Sequence, residues 1–135
     1  MFACVSGGFD PLHVGHLDSI MAAARLGPVM VLLNSDDWLM RKKGYVFMPW
    51  HERAALISAL QHVAVVCPVD DEDGTVGEGL RRYRPRYFVK SGDRIEGNTP
   101  EAALCRELGI ALMIIPPVFP DVHSSDLVRR AAASC

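Results

Sequence analysis

The sequence predicts an α/β fold: a doubly wound, five-stranded parallel sheet with helices on both faces, in a single domain of 135 residues. Three observations carry that expectation. Apolar runs of strand length alternate with amphipathic stretches of helical length from end to end, and short connections join them, which calls for parallel strands with right-handed crossovers. Half of the residues (50%) are hydrophobic, enough for a real core and too many for a disordered chain. Val29-Met30-Val31-Leu32-Leu33 is apolar on both faces, as a central parallel strand should be.

The elements follow in order. Phe2 to Ser6 reads as the first strand and Gly15 to Leu26 as the first helix, with Leu17, Ile20, Met21 and Ala24 on its buried face. Gly27-Pro28 stops that helix before the second strand, Val29 to Leu33. Ser35-Asp36-Asp37 caps a short helix running to about Arg41, and Lys42-Lys43-Gly44-Tyr45 reads as a loop. Pro49 marks a helix start, and Trp50 to Leu60 carries the helical period through Arg53, Leu56, Ile57 and Leu60. Val63 to Cys67 is the third strand, and the acidic Asp70-Asp71-Glu72-Asp73-Gly74 reads as a solvated loop without EF-hand spacing. Helix Val76 to Tyr83, strand Arg86 to Val89, helix Pro100 to Leu108, strand Ile110 to Ile115 and helix Ser124 to Ala133 complete five strands and five or six helices.

Composition narrows the function. Fourteen basic against sixteen acidic side chains give a net charge of −2, so no nucleic-acid partner is expected. No apolar run approaches the ~20 residues of a membrane span, and no basic region precedes an apolar one at the N-terminus. Cys4, Cys67, Cys105 and Cys135 are scattered without a C-x-x-C pair, which fits reduced thiols and a cytoplasmic setting. Trp38, Trp50 and Phe119 are the apolar candidates for a homodimer surface or a lid, with core positions as the alternative.

In such a sheet the ligand lies beyond the carboxyl ends of the strands, at the switch point, where the loop after the first strand sits. That loop is Gly7-Gly8-Phe9-Asp10-Pro11-Leu12-His13-Val14-Gly15-His16. It sets two imidazoles three residues apart where a helix begins, straight after a Gly-Gly turn. Helix N-termini offer unpaired N–H groups and a partial positive charge, and Gly7, Gly8 and Gly15 let backbone come close to an anion. A zinc pair is the rival reading of the imidazoles, but no third ligand at metal-like spacing accompanies them. Asp10 is read as structural, holding the turn through backbone N–H groups.

The segment resembles the HxGH nucleotidylyltransferase superfamily, whose members share G-x-F-D-x-x-H-x-G-H at this point; Gly7, Phe9, Asp10, His13, Gly15 and His16 match it. Val122-His123-Ser124-Ser125-Asp126-Leu127-Val128-Arg129 resembles the same superfamily's C-terminal I-S-S/T-T-x-I-R/K motif, with Asp126 in place of Thr. The resemblance implies a Rossmann-like enzyme that transfers CMP or AMP from CTP or ATP to a small phosphorylated acceptor, a sugar or polyol phosphate, and releases pyrophosphate. Mg²⁺ would accompany the triphosphate, with no protein metal site. His13 and His16 would act as N–H donors to phosphate oxygens, neither as proton-shuttling bases nor as metal ligands. Lys43 and Arg129 would be their catalytic partners, and Gly7, Gly8, Phe9, Gly15, Arg53, Ser124 and Ser125 would bind nucleotide. Arg53 matches an E-x-R arginine, with an ion pair to Glu52 or a nearby acid as its bland alternative. Val89-Lys90-Ser91-Gly92-Asp93-Arg94 resembles the V-K-G-G-D segment of heptose 1-phosphate adenylyltransferases, which adds Lys90, Gly92 and Asp93. The arginine of the R-T-E-G-I-S-T-T signature of glycerol 3-phosphate cytidylyltransferases is missing, which leans away from that branch and leaves the base open. A nucleotide-binding sensor that has lost turnover is the rival class. A dehydrogenase is disfavoured, because no G-x-G-x-x-G follows the first strand.

Overall fold

The structure, a computed structural model, describes residues 1–91, 96–116 and 123–134. Five parallel strands, β1 (Ala3–Gly7), β2 (Val29–Leu33), β3 (Val63–Pro68), β4 (Tyr87–Ser91) and β5 (Ala111–Ile115), form one sheet in the order β3-β2-β1-β4-β5. The chain steps outward from β1 to β3, then returns to the other side of β1 for β4. With right-handed crossovers that reversal must carry the later helices to the opposite face. α1 (Val14–Ala24) and α3 (Trp50–Ser58) accordingly pack with Ala3, Val5, Val29, Val31 and Leu33 in one core cluster. α4 (Gly77–Tyr83) and α5 (Ala102–Leu108) pack with Cys4, Met30, Leu32 and Phe88 in the other. Side chains of a strand alternate between faces, so β1 and β2 feed both clusters, and every residue of β2 is buried as its sequence implies.

Three expectations change. α2 spans Asp36–Lys43, so Lys42 and Lys43 lie in its last turn and not in a loop. Ser35 caps its start, Asp36 and Asp37 occupy the first turn, Arg41, Lys42 and Lys43 the last, and Gly44 ends it in the left-handed region at φ 84°. Acidic residues at its start and basic ones at its end interact favourably with the helix dipole, which fits the two added residues. On α1 the buried residues are Ile20, Ala22 and Ala23, while Met21 is exposed; on α3 Arg53 and Ile57 are buried and Leu56 is exposed. Small alanines let α1 approach the sheet, turning its apolar stripe by about one residue from the expected one. Asp71 is buried and not part of a solvated loop, whereas Asp70, Glu72 and Asp73 are exposed as expected.

α6 (Ser124–Ser134) and a single 3-10 turn, Glu96–Asn98, complete the described elements. Cys4, Cys67 and Cys105 are buried free thiols. Trp50 packs against the first core cluster and its indole N–H donates to Leu33 O, while half-buried Trp38 donates to Gly74 O. Phe119 and Cys135 lie outside the described residues. No helix among the described residues is long and apolar enough to cross a membrane.

Candidate functional site

β1 ends at Gly7, and the chain turns at the carboxyl edge of the sheet. A Cβ on Gly8 would stand 2.8 Å from Leu39 Cδ2, so the turn rests directly on α2 and a larger residue would have to displace the Leu39 side chain. Phe9 follows in the left-handed region at φ 51°, a conformation that costs a non-glycine residue energy. Its ring is buried and sits 4.6 Å from that of His16, centroid to centroid. Asp10 is fully buried and accepts from Phe47 N and Met48 N, both at 2.7 Å. Its role is structural, as the sequence implied, but it holds the segment before α3 and not its own turn.

His13 and His16 cap α1 with each other. His13 Nδ1 accepts from Gly15 N at 3.0 Å, His16 Nδ1 accepts from His13 N at 3.1 Å, and the rings stack at 3.9 Å. In a neutral imidazole one nitrogen accepts and the other donates, so this reciprocal cap puts the hydrogen of each ring on Nε2. Burial, the His13 ring and the Lys43 ammonium push His16 down to about 3. Burial, with His123 and Lys43, lowers His13. Both are therefore neutral at physiological pH, each with an Nε2–H that has no protein partner among the described residues.

Other elements converge on this pair. Lys43, half-buried at the end of α2, acts electrostatically on both histidines; burial lowers its own pKa, opposed by the Asp10 carboxylate. α6 arrives from the opposite end of the chain: buried Ser124 donates its hydroxyl to Pro11 O at 2.9 Å, docking the start of α6 on the histidine loop. That hydroxyl is engaged within the protein. What the helix start offers a ligand is the first-turn N–H groups of Ser124 and Ser125, which no helix satisfies internally.

Three expected site residues have side chains engaged within the protein. Arg53 is wholly buried: Nε donates to Met48 O, Nη1 to Gly8 O and Asn34 O, each at 2.8 Å, and Nη2 pairs with Asp36 at 2.6 Å. Its acid is Asp36, not Glu52, and its donors serve the protein itself. Lys90 donates to Ser6 Oγ at 3.1 Å, on the sheet face away from α1. Arg129 is exposed and paired with Asp126. Gly92 and Asp93 lie outside the described residues.

A second polar knot lies beside the turn. Buried Asp71 accepts from Asn34 Nδ2, Ser35 N and Ser35 Oγ at 3.0, 2.8 and 2.7 Å, while its carbonyl accepts from Arg41 at 2.8 Å. Neither Asp71 nor Asn34 stood out as a site residue in the sequence. Asn34 stands directly beyond the carboxyl end of β2, and Asp71 follows the end of β3 by three residues. Among the described residues no group of three His, Cys, Asp or Glu side chains is arranged to hold a metal ion.

A parallel sheet ordered around a switch point, with a histidine-capped helix and a second helix start facing it, defines a Rossmann-like nucleotide-site architecture. The model of the cytidylyltransferase-like family matches residues 4–131, and the chain belongs to that family, within the nucleotidyltransferase superfamily. The bifunctional protein HldE of Streptomyces coelicolor is 39% identical over 130 residues, which cover 93% of this chain and 27% of that protein. The D-beta-D-heptose 1-phosphate adenylyltransferase of Bordetella bronchiseptica is 33% identical over 115 residues, 82% of this chain and 70% of its own. The lipopolysaccharide core biosynthesis protein of Thermoplasma volcanium superposes with a TM-score of 0.67 at 25% identity, over 85% of this chain and 93% of that one. The chain thus spans about a quarter of the bifunctional relative first named.

Proposed function

We propose that the protein transfers AMP from ATP to the phosphate of a sugar phosphate and releases pyrophosphate. The observation that carries this reading is the pair of neutral Nε2–H donors, set by their reciprocal cap beside Lys43 and the start of α6. A phosphate-monoester acceptor is already ionised at neutral pH, so the reaction needs no general base. One acceptor oxygen attacks the α-phosphorus, a P–O bond forms, and the bond from the α-phosphorus to the bridging oxygen breaks; that oxygen leaves with pyrophosphate. Catalysis then consists of alignment and of stabilising the charge that builds on the α-phosphate and leaving group. His13 and His16 donate to those oxygens, Lys43 supplies the positive charge, and the N–H groups of Ser124 and Ser125 bind the far phosphates.

The choice of ATP and of a sugar phosphate draws on the relatives named heptose 1-phosphate adenylyltransferase, together with the missing arginine of the cytidylyltransferase branch. Mg²⁺ belongs to the reading as a partner of the triphosphate, where it would neutralise phosphate charge. Asp10 is an unsuitable ligand for it, because both its oxygens already accept backbone N–H groups. Three buried free thiols fit a reducing, cytoplasmic setting. The test is to supply purified protein and Mg²⁺ with ATP or CTP and a panel of sugar and polyol phosphates. Pyrophosphate release with ATP and a sugar phosphate is expected. Release with CTP alone would reassign the base, and tight nucleotide binding without release under any pairing would leave a binding module in place of an enzyme.

A further inference from the structure

Arg53 carries a permanent charge, is 0% exposed, and belongs to α3. Its fork joins three segments: Gly8 after β1, Asn34 after β2, and Met48 between α2 and α3. The bond to Gly8 O has a directional consequence. In a trans peptide the C=O and the following N–H point opposite ways, so fixing Gly8 O toward Arg53 turns the Phe9 N–H away from it. That N–H has no hydrogen-bond partner among the described residues. It stands in the same turn as the two histidines, and the Phe9 ring contacts His16. Met48 is held on both sides, its N–H by Asp10 and its carbonyl by Arg53, which also fixes the segment leading back to Lys43.

We propose that Arg53 is a positioning residue: from behind the turn it sets the Gly8–Phe9 peptide so that the Phe9 N–H joins His13 and His16 as an anion donor, and it fixes the distance from that donor set to Lys43. This rests on the transferase reading for its kinetic consequence, but not for the orientation of the peptide. Arg53 touches no substrate. Donors that are aligned before charge develops stabilise the transition state more than they bind the ground state. Loss of the fork therefore lowers kcat more than it raises the KM for nucleotide.

Arg53→Lys keeps the charge and loses the fork. The test measures kcat and KM for ATP in this variant, and follows the ¹⁵N-labelled Phe9 amide during titration with inorganic pyrophosphate. A folded variant is expected with kcat down about 10- to 100-fold, KM for ATP within about threefold, and a Phe9 amide that no longer responds as in wild type. An unchanged kcat, a KM that rises by the same factor as kcat falls, or a Phe9 amide that responds as before would each overturn the proposal. Should Arg53→Lys not fold, Asp36→Ala removes only the half-exposed partner of the fork. It is expected to lower kcat about three- to tenfold with KM unmoved, and full activity with a wild-type Phe9 response would overturn the proposal. If wild-type protein releases no pyrophosphate with any triphosphate and acceptor, the transferase reading falls, while the amide titration still decides the role of Arg53. A wild-type Phe9 amide indifferent to pyrophosphate would overturn the inference alone.

Discussion

The two sides of the turn after β1 are built on opposite principles. On the side of α1 and α6, the Nε2–H groups of His13 and His16 and the first N–H groups of α6 have no protein partner among the described residues. On the side of α2 and α3, polar groups are consumed internally: Asp71 accepts three hydrogen bonds, Asp10 two, and Arg53 donates four. A buried polar group without a partner is expensive, whereas a half-buried donor facing solvent is cheap until an anion replaces the water. The hydrogen bonds of one side hold chain segments together, while the donors of the other side stay open. Function and stability should therefore separate by side.

The largest effect is expected from His16→Asn, which keeps an oxygen near the position of Nδ1 for the cap but deletes the Nε2–H. Turnover should fall about 10²- to 10³-fold while thermal stability changes little, as a pyrophosphate assay and a melting curve on one preparation will show. A loss of folding in step with activity would break the division between the two sides. Asp71→Ala should do the reverse. It strands Asn34 Nδ2 and two Ser35 donors, and a stability loss of about 2–4 kcal/mol by denaturant titration is expected.

Acid provides a third comparison. His16 titrates at its ordinary value of 6.5 when unfolded and at about 3 when folded. Below 6.5 the unfolded chain binds a proton that the native state refuses, so stability falls with pH down to about 3, by at most about 1.4 kcal/mol per pH unit from this residue. Its neutral donor persists throughout, so the His16 imidazole followed by NMR should show no titration near 6.5, and a titration there would contradict a neutral donor. The smallest effect belongs to Arg129→Ala. Its exposed guanidinium is already paired with Asp126, and turnover within about threefold of wild type is expected by initial-rate assay.

Much of the fold was legible because its signals are local. Strand-length apolar runs, the cap at Ser35 and the glycine stops depend on residues a few positions apart, and β2 runs over the residues its apolar run marks. The histidine turn was legible for the same reason: two imidazoles three residues apart at a helix start can reach each other without help from the rest of the chain. Lys42 and Lys43 were misplaced into a loop because the dipole that favours them depends on the whole of α2. Met21 and Leu56 were drawn into or near the core because a helical period gives the width of an apolar stripe better than its angle against a sheet.

What the sequence by itself determined is the alternation, the parallel sheet and the turn that sets two histidines at the start of α1. What only the tertiary structure decided is what becomes of each isolated polar side chain. Arg53 reads as a binder or a surface ion pair until Gly8, 45 residues away, is seen to accept from it. Asp71 reads as one acid in a solvated run until Asn34 and Ser35, 37 and 36 residues away, close around it. Hydrophobic burial needs only a periodic face, which local sequence writes plainly. A buried polar group needs particular partners at hydrogen-bond distance, and only the folded chain brings those together.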